Sequence, residues 1–156
     1  MSIYYRVLLD ALAFCFAAHA ETPKSFGVYL TARQLDASSS DCRHLDLSKI
    51  ELEQSPLFSE HDIVGLDLVN RNITLTLVAL MRLPRPSVRG RTFVVVAGGE
   101  RIFLGAFWTT LSSFGPAVPT ICVDGPAPPN SLRISSPSLG SWFDPRIEAS
   151  LPRRHK

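Results

Sequence analysis

Lysine is nearly missing from this chain: thirteen of its sixteen basic residues are arginine and three are lysine. Charge of either sign is sparse, at 19% of residues against roughly 25% in an ordinary globular domain. The formal net charge of +2 is too small to mark a nucleic-acid or membrane-surface binder. We read the arginine bias as a GC-rich, bacterial coding background. The three cysteines and four histidines show no Cys-x-x-Cys or His-x-x-x-His spacing, so no metal site or cofactor is expected. Gly98-Gly99 lacks the Lys-Ser/Thr that completes a phosphate loop. No serine lies in a Gly-x-Ser-x-Gly turn. No repeat is visible. No later run approaches the ~20 apolar residues of a membrane span.

What is present is concentrated at the start. Arg6 precedes an almost wholly apolar stretch from Val7 to Ala18, and Ala18-His19-Ala20 follows. A basic residue, a short apolar core and a small-x-small end are the parts of a secretory signal peptide. Asp10 interrupts that core. The reading predicts cleavage after Ala20 and a periplasmic or secreted protein, with no transmembrane segment in the mature chain. Cys42 and Cys122 then remain, an even number that permits one disulfide in an exported chain; two unbridged thiols are the other reading.

The rest has the length of one domain. Residues 26–30 read as a strand and residues 31–46 as a polar loop. Residues 49–53 alternate as a half-buried strand does. Ser59-Glu60-His61-Asp62 has capping-box spacing, which predicts a helical turn near Ile63. Residues 73–77 alternate as a strand and residues 78–83 carry helical spacing up to Pro84. The strongest local signal is a β-hairpin over residues 92–108 with Gly98-Gly99 at its turn. That turn predicts Ala97 opposite Glu100, Val95 opposite Ile102 and Phe93 opposite Leu104. Both hairpin faces are apolar, which predicts interior strands covered on both sides. Further strands are expected at residues 119–124 and 131–135, a turn at residues 142–146 and a solvated tail from Leu151. The expected class is α+β: an open, mostly antiparallel sheet with one or two short helices. The expected organisation is a signal peptide (1–20), N-terminal strands and loop (21–56), an α+β core (57–124) and a Pro-rich extension (125–156).

The block Asp62-Ile63, residues 73–77, the short helix, residues 93–103, Ser112-Ser113 and residues 120–124 resembles the head subdomain of SecD. SecD is a membrane subunit that assists protein export, and that subdomain is a small α+β unit of its periplasmic region. The resemblance covers about half of the chain. It implies a SecD-head-like fold and a tendency to contact polypeptide, and it carries no catalytic residue to transfer.

Candidate site residues are few. Arg85, Arg89, Arg91 and Arg101, with Arg82, cluster around a connection and the hairpin, as an anion or partner site would; a solvated loop is the other and more ordinary reading. Phe107 and Trp108, with Phe103 and Phe114, are either core or an aromatic anchor for a partner. Ser112 or Ser113 with His61 would supply a nucleophile and base on paper. The expected function is non-catalytic binding of a polypeptide or cell-envelope component, with no nucleic-acid partner. The alternatives are an exported serine hydrolase and a self-associating structural domain.

Overall fold

The computed structural model describes residues 25–67, 69–135 and 144–151. Residues 1–20, read above as a signal peptide, Trp142-Phe143 and the residues beyond Leu151 lie outside the described residues. In chain order the elements are β1 (Phe26–Leu30), β2 (Phe58–Ser59), β3 (Ile63–Asp67), β4 (Asn72–Leu75), α1 (Leu77–Met81), β5 (Arg91–Ala97), β6 (Glu100–Trp108), β7 (Thr120–Cys122), β8 (Ser131–Ser135) and α2 (Pro145–Ser150). They form one eight-stranded sheet in the order β2-β1-β5-β6-β7-β8-β4-β3. The class is α+β-like: mostly sheet, with few short helices.

The sheet is nearly closed rather than open. Its two edges, β2 and β3, are consecutive in the chain. The Ser59–Asp62 turn between them is held by Asp62 N–H on the Ser59 carbonyl (3.0 Å) and Ser59 N–H on Asp62 Oδ2 (3.0 Å). All strand pairs are antiparallel except β6–β7, which is parallel. The sheet draws strands from all three parts of the chain beyond residue 20, since β1 pairs with β5 and β8 joins β7 to β4.

Closure creates an inside. Val28, Phe58, Ile63, Ile73, Leu75, Phe93, Val95, Phe107, Ile121 and Ile134 form one buried cluster, joined by Ala79 of α1 and Ile147 of α2. Each large apolar side chain buried this way contributes roughly 1.5–3 kcal/mol. A second cluster lies on the outer face of β5 and β6, where Val94, Leu104, Ala106 and Trp108 meet Ala37, Cys42 and Val118. A strap of residues 31–52 covers that outer face. The central hairpin is therefore covered on both sides, as its two apolar faces predict.

Four local expectations are overturned. The hairpin keeps Ala97 opposite Glu100, but a bulge at Val95/Val96 shifts the rest: Val95 pairs with Phe103, Val94 with Leu104 and Phe93 with Gly105. One extra residue reverses which side chains face inward. Phe103 and Phe107 thereby join Phe93 inside, with ring centroids 6.5 and 4.9 Å from it. Residues 59–62 form a β-turn instead of starting a helix, because Phe58 and Ile63 on either side are both buried in the interior. Residues 49–53 are not a strand. A 3-10 turn occupies Leu47–Lys49, capped by Asp46, and a single bridge joins Leu52 to Thr31. At the C-terminal end Pro145 and Arg146 begin α2 instead of completing a turn, and Leu151 packs against the interior cluster; the rest of the expected turn and tail lies outside the described residues.

Candidate cleft beside β6

The strap is fastened at several points, and the fastenings use most of the arginines singled out above. Arg101 donates through Nη1 to the carbonyls of Leu47 and Ile50 (2.6 Å for Ile50). Arg91 pairs with Glu53 (3.0 Å) and donates to Gln34 Oε1 (3.2 Å). Arg89 pairs with Asp36 (3.0 Å) and lies 5.7 Å from the centre of the Phe114 ring. Arg82 pairs with Asp62 (2.8 Å). Arg85 is exposed and forms no ion pair with the described residues. The cluster expected to bind an anion is thus largely spent on the protein's own carbonyls and carboxylates. At the surface such pairs contribute about 0–1 kcal/mol each. Two hydrogen bonds from Arg101 to the main chain fix the strap more firmly, because a charged donor strengthens each bond.

Phe107 and Trp108 are interior residues, 2% and 6% exposed. They lie on opposite faces of β6 because neighbouring strand residues alternate. Neither offers a surface to a partner in this fold, which corrects the partner-anchor expectation: closure and the strap bury both faces. Phe114 stays partly exposed.

The catalytic combination is not brought together by any hydrogen bond among the described residues. The His61 side chain is almost fully exposed on the β2–β3 turn and lies 3.7 Å from Glu60. Ser112 Oγ donates to the Val88 carbonyl (2.6 Å) and accepts from the Phe114 N–H (3.1 Å), which ties the 83–90 and 109–119 connections together. Ser113 is exposed. Cys42 and Cys122 are both free thiols. Cys42 Sγ donates to the Asp36 carbonyl (3.1 Å), and Cys122 Sγ sits 3.5 Å from Asp124 Oδ1. Burial, and then nearby Asp36 and Asp41, push the Cys42 thiol up. Burial is also the main cause of the upward shift at Cys122. Neither is an activated nucleophile.

What the fold builds instead is a half-open cleft of about 440 Å³ between the strap and β6. Leu45, Leu47, Ile102, Leu104, Val118 and Pro119 give it apolar side chains within a lining that is nearly half polar, Cys42 lies within it, and Arg43 supplies its charge. The 3-10 turn Ser40–His44 places Cys42 against the sheet and Arg43 at the rim. That turn is capped by Ser39, whose side chain accepts from the Asp41 N–H. Arg43 Nε donates to the Ala117 carbonyl (2.8 Å), and the Ala117 N–H donates to the Ala37 carbonyl (2.8 Å).

The cleft also follows the stretch of β6 that precedes its ladder with β7, where Leu104 is 5% exposed. β7 joins β6 only at residues 106–108, opposite residues 120–122. Along residues 100–105 no strand lies beside β6 on that side among the described residues. The Ala106 N–H donates to the Pro119 carbonyl (2.9 Å), so Ala106 directs its backbone groups toward β7. Two residues earlier, Leu104 directs its own N–H and C=O the same way, because backbone groups alternate sides along a strand.

The hairpin reading includes Leu104, and no sequence pattern joins it or Arg43 to a site. No local pattern signals the cleft, since its walls come from residues 42–47, 102–104 and 117–119. No protein-family model matches this chain, and no curated protein or solved structure matches it either.

Proposed function

We propose that this chain is an exported, non-catalytic binding module that takes an extended stretch of polypeptide in the cleft beside β6. The observation that carries the reading is the cleft itself: a hollow beside β6 along the stretch where, among the described residues, the ladder to β7 has not yet begun, with Leu104 there 5% exposed. An extended peptide satisfies such a stretch by adding a strand, while alternate side chains enter the hollow beside it. A lipid or a compact small molecule would fill the hollow and leave that stretch unused. Two sequence readings support the proposal: the signal-peptide pattern of residues 1–20, and the SecD-head-like reading of residues 57–124 with its tendency to contact polypeptide. Among the described residues no juxtaposed nucleophile and base favours the hydrolase alternative.

Hydrogen exchange on the protein with and without a short apolar peptide tests the reading. Protection should appear at the amide of Leu104 and at the neighbouring cleft residues. Saturating peptide that leaves the Leu104 amide exchanging at its free rate would sink the strand-addition reading.

A further inference from the structure

We infer that the end of the sheet capped by α1 is a separate surface, independent of the cleft, that docks the protein on a bilayer with anionic headgroups. Strand directions define that end. β4 and β6 run toward it and β5 starts there. α1 follows β4, residues 82–90 lead into β5 and residues 109–114 leave β6, so all three lie at the same end. β4 and β5 stand four places apart in the eight-stranded order, on opposite sides of the nearly closed sheet. α1 and its connection therefore cross the opening. Ala79 is buried in the interior cluster, and Leu80 and Leu83 pack against it. Leu77, Val78 and Met81 are left on the outside and exposed. Val88, Leu111 and Phe114 are exposed beside them. The Ser112 Oγ bond to the Val88 carbonyl (2.6 Å) and the Arg89–Phe114 contact hold their two connections together. Six of the nine exposed large apolar residues among the described residues thus sit at one end. Clustered apolar exposure of this kind marks an interaction surface.

Charge says what covers it. From residue 68 to residue 99, and again from residue 101 to residue 123, the sequence holds no Asp or Glu, while Arg82, Arg85, Arg89 and Arg91 interleave with the apolar residues of this end. Asp62, Asp36 and Glu53 reach in from other segments to Arg82, Arg89 and Arg91. The Asp124 carboxylate accepts from the Thr109 hydroxyl and the Thr110 N–H. Arg85, between Met81 and Val88 in the chain, is exposed and forms no ion pair with the described residues. The net charge of +2 for the whole chain conceals this local separation. Arginine meets a lipid phosphate with paired N–H donors while its stem lies along apolar surface. Apolar side chains flanked by such cations suit the boundary between headgroups and acyl chains of an anionic bilayer. Met81 and Leu111 are 79% and 84% exposed and stand out as tips. A fluid bilayer moulds to projecting tips, whereas a protein partner needs a matching hollow for each.

Hydrogen exchange of the full chain is the test, with vesicles of phosphatidylcholine alone or of phosphatidylcholine and phosphatidylglycerol in equal parts. Exchange is read segment by segment, so contact made by residues 1–20 does not hide the result. The amides of residues 77–82 and 109–114 should be protected at about tenfold less lipid with the anionic vesicles than with the neutral ones. Met81→Asp combined with Leu111→Asp should raise the lipid required by about tenfold. Arg85→Gln should raise it by about fivefold, with the anionic vesicles alone. Val69→Asp is the control: Val69 is 91% exposed on the β3–β4 turn at the opposite end, and its substitution should change nothing. Absence of protection in both segments at saturating anionic lipid would overturn the inference, as would a loss with Val69→Asp equal to that of the double variant. Equal protection by neutral and anionic vesicles would remove the arginines from the role. Protection that grows with protein concentration in the absence of vesicles would make a second copy the occupant and overturn the bilayer. Thermal melts confirm that each variant is folded.

Discussion

The ring of Phe93 lies directly over Gly105. A Cβ built on Gly105 would fall 2.5 Å from Phe93 Cζ and 2.9 Å from the Pro119 carbonyl oxygen. No side chain fits between the two, so glycine at 105 lets the central aromatic ring of the interior rest on the β6 backbone. The same contact depends on the bulge, because only the shifted register sets Phe93 opposite Gly105. Gly105→Ala should therefore destabilise the protein by about 1–3 kcal/mol, the usual range for overpacking a close-packed interior. A urea melt measures it; a change within experimental error would show that the Phe93 ring can move aside at no cost.

Arg101 holds the strap rather than a partner. Truncating it to alanine removes two charge-assisted bonds to the carbonyls of Leu47 and Ile50. The expected loss is about 1.5–3 kcal/mol, together with faster amide exchange across residues 31–52. Arg85→Ala, which breaks no ion pair to the described residues, should be silent in both measurements. Equal effects from the two substitutions would contradict the division drawn between them.

Acid should loosen the periphery before the interior. Hydrogen bonds from the Arg146 side chain, and then from its backbone N–H, lower the Asp144 carboxyl from the ordinary 3.8 to about 2. Asp36, Asp46 and Asp124 are lowered too, chiefly by the side chains of Ser38, Ser48 and Thr109. A carboxyl depressed on folding stabilises the fold above its unfolded value and loses that contribution as pH falls through its folded value. For Asp144 the window runs from about pH 4 down to about pH 2. The α2 attachment, where Arg146 also pairs with Glu100, should weaken across it. Amide exchange or a proteolysis rate for residues 144–151, followed from pH 5 to pH 2, reports the effect; an unchanged rate would refute it.

The thiols give a count and an order. The protein lacking residues 1–20 should show two reactive thiols under denaturing, non-reducing conditions, since Cys42 and Cys122 are both free. In the folded protein Cys122 should react first, because Cys42 is buried beneath the strap. Arg101→Ala should speed the Cys42 reaction in particular. A denatured count of zero would establish a bridge and rule out the free-thiol arrangement.

Export predicts a covalent outcome. Expressed in a bacterium with a secretion pathway, the protein should be recovered from the envelope fraction with Glu21 as its first residue. Intact-mass measurement settles it. A full-length cytoplasmic product would remove the exported part of the proposal, and Asp10→Leu would then show whether the charge in the apolar core is the cause.

Local signals wrote several elements into the sequence. Gly98 and Gly99 adopt φ of +61° and +82°, the backbone that a two-residue hairpin turn demands, so the hairpin and its first pair were legible. Residues 26–30 and 131–135 read as strands and form β1 and β8, alternation marked the strand before the short helix while misleading at residues 49–53, and Thr76 caps that helix, which Pro84 bounds. Two apolar faces on residues 92–108 announced coverage on both sides. What the sequence could not announce is anything that depends on distant residues meeting. The bulge is chosen because it turns Phe103 and Phe107 into an interior that exists only once the sheet closes. Ser59 to Asp62 carries a helix-starting spacing, yet burial of Phe58 and Ile63 commits it to a turn at the seam. Arg101 looks like a surface charge until the carbonyls of Leu47 and Ile50 arrive from more than fifty residues away. The cleft belongs wholly to this second kind of information. Its three walls come from separate parts of the chain, and it lies where β7 joins β6 late. Periodicity and turn chemistry act over a few residues; closure, register and the cleft are set by packing between segments that only the tertiary structure brings together.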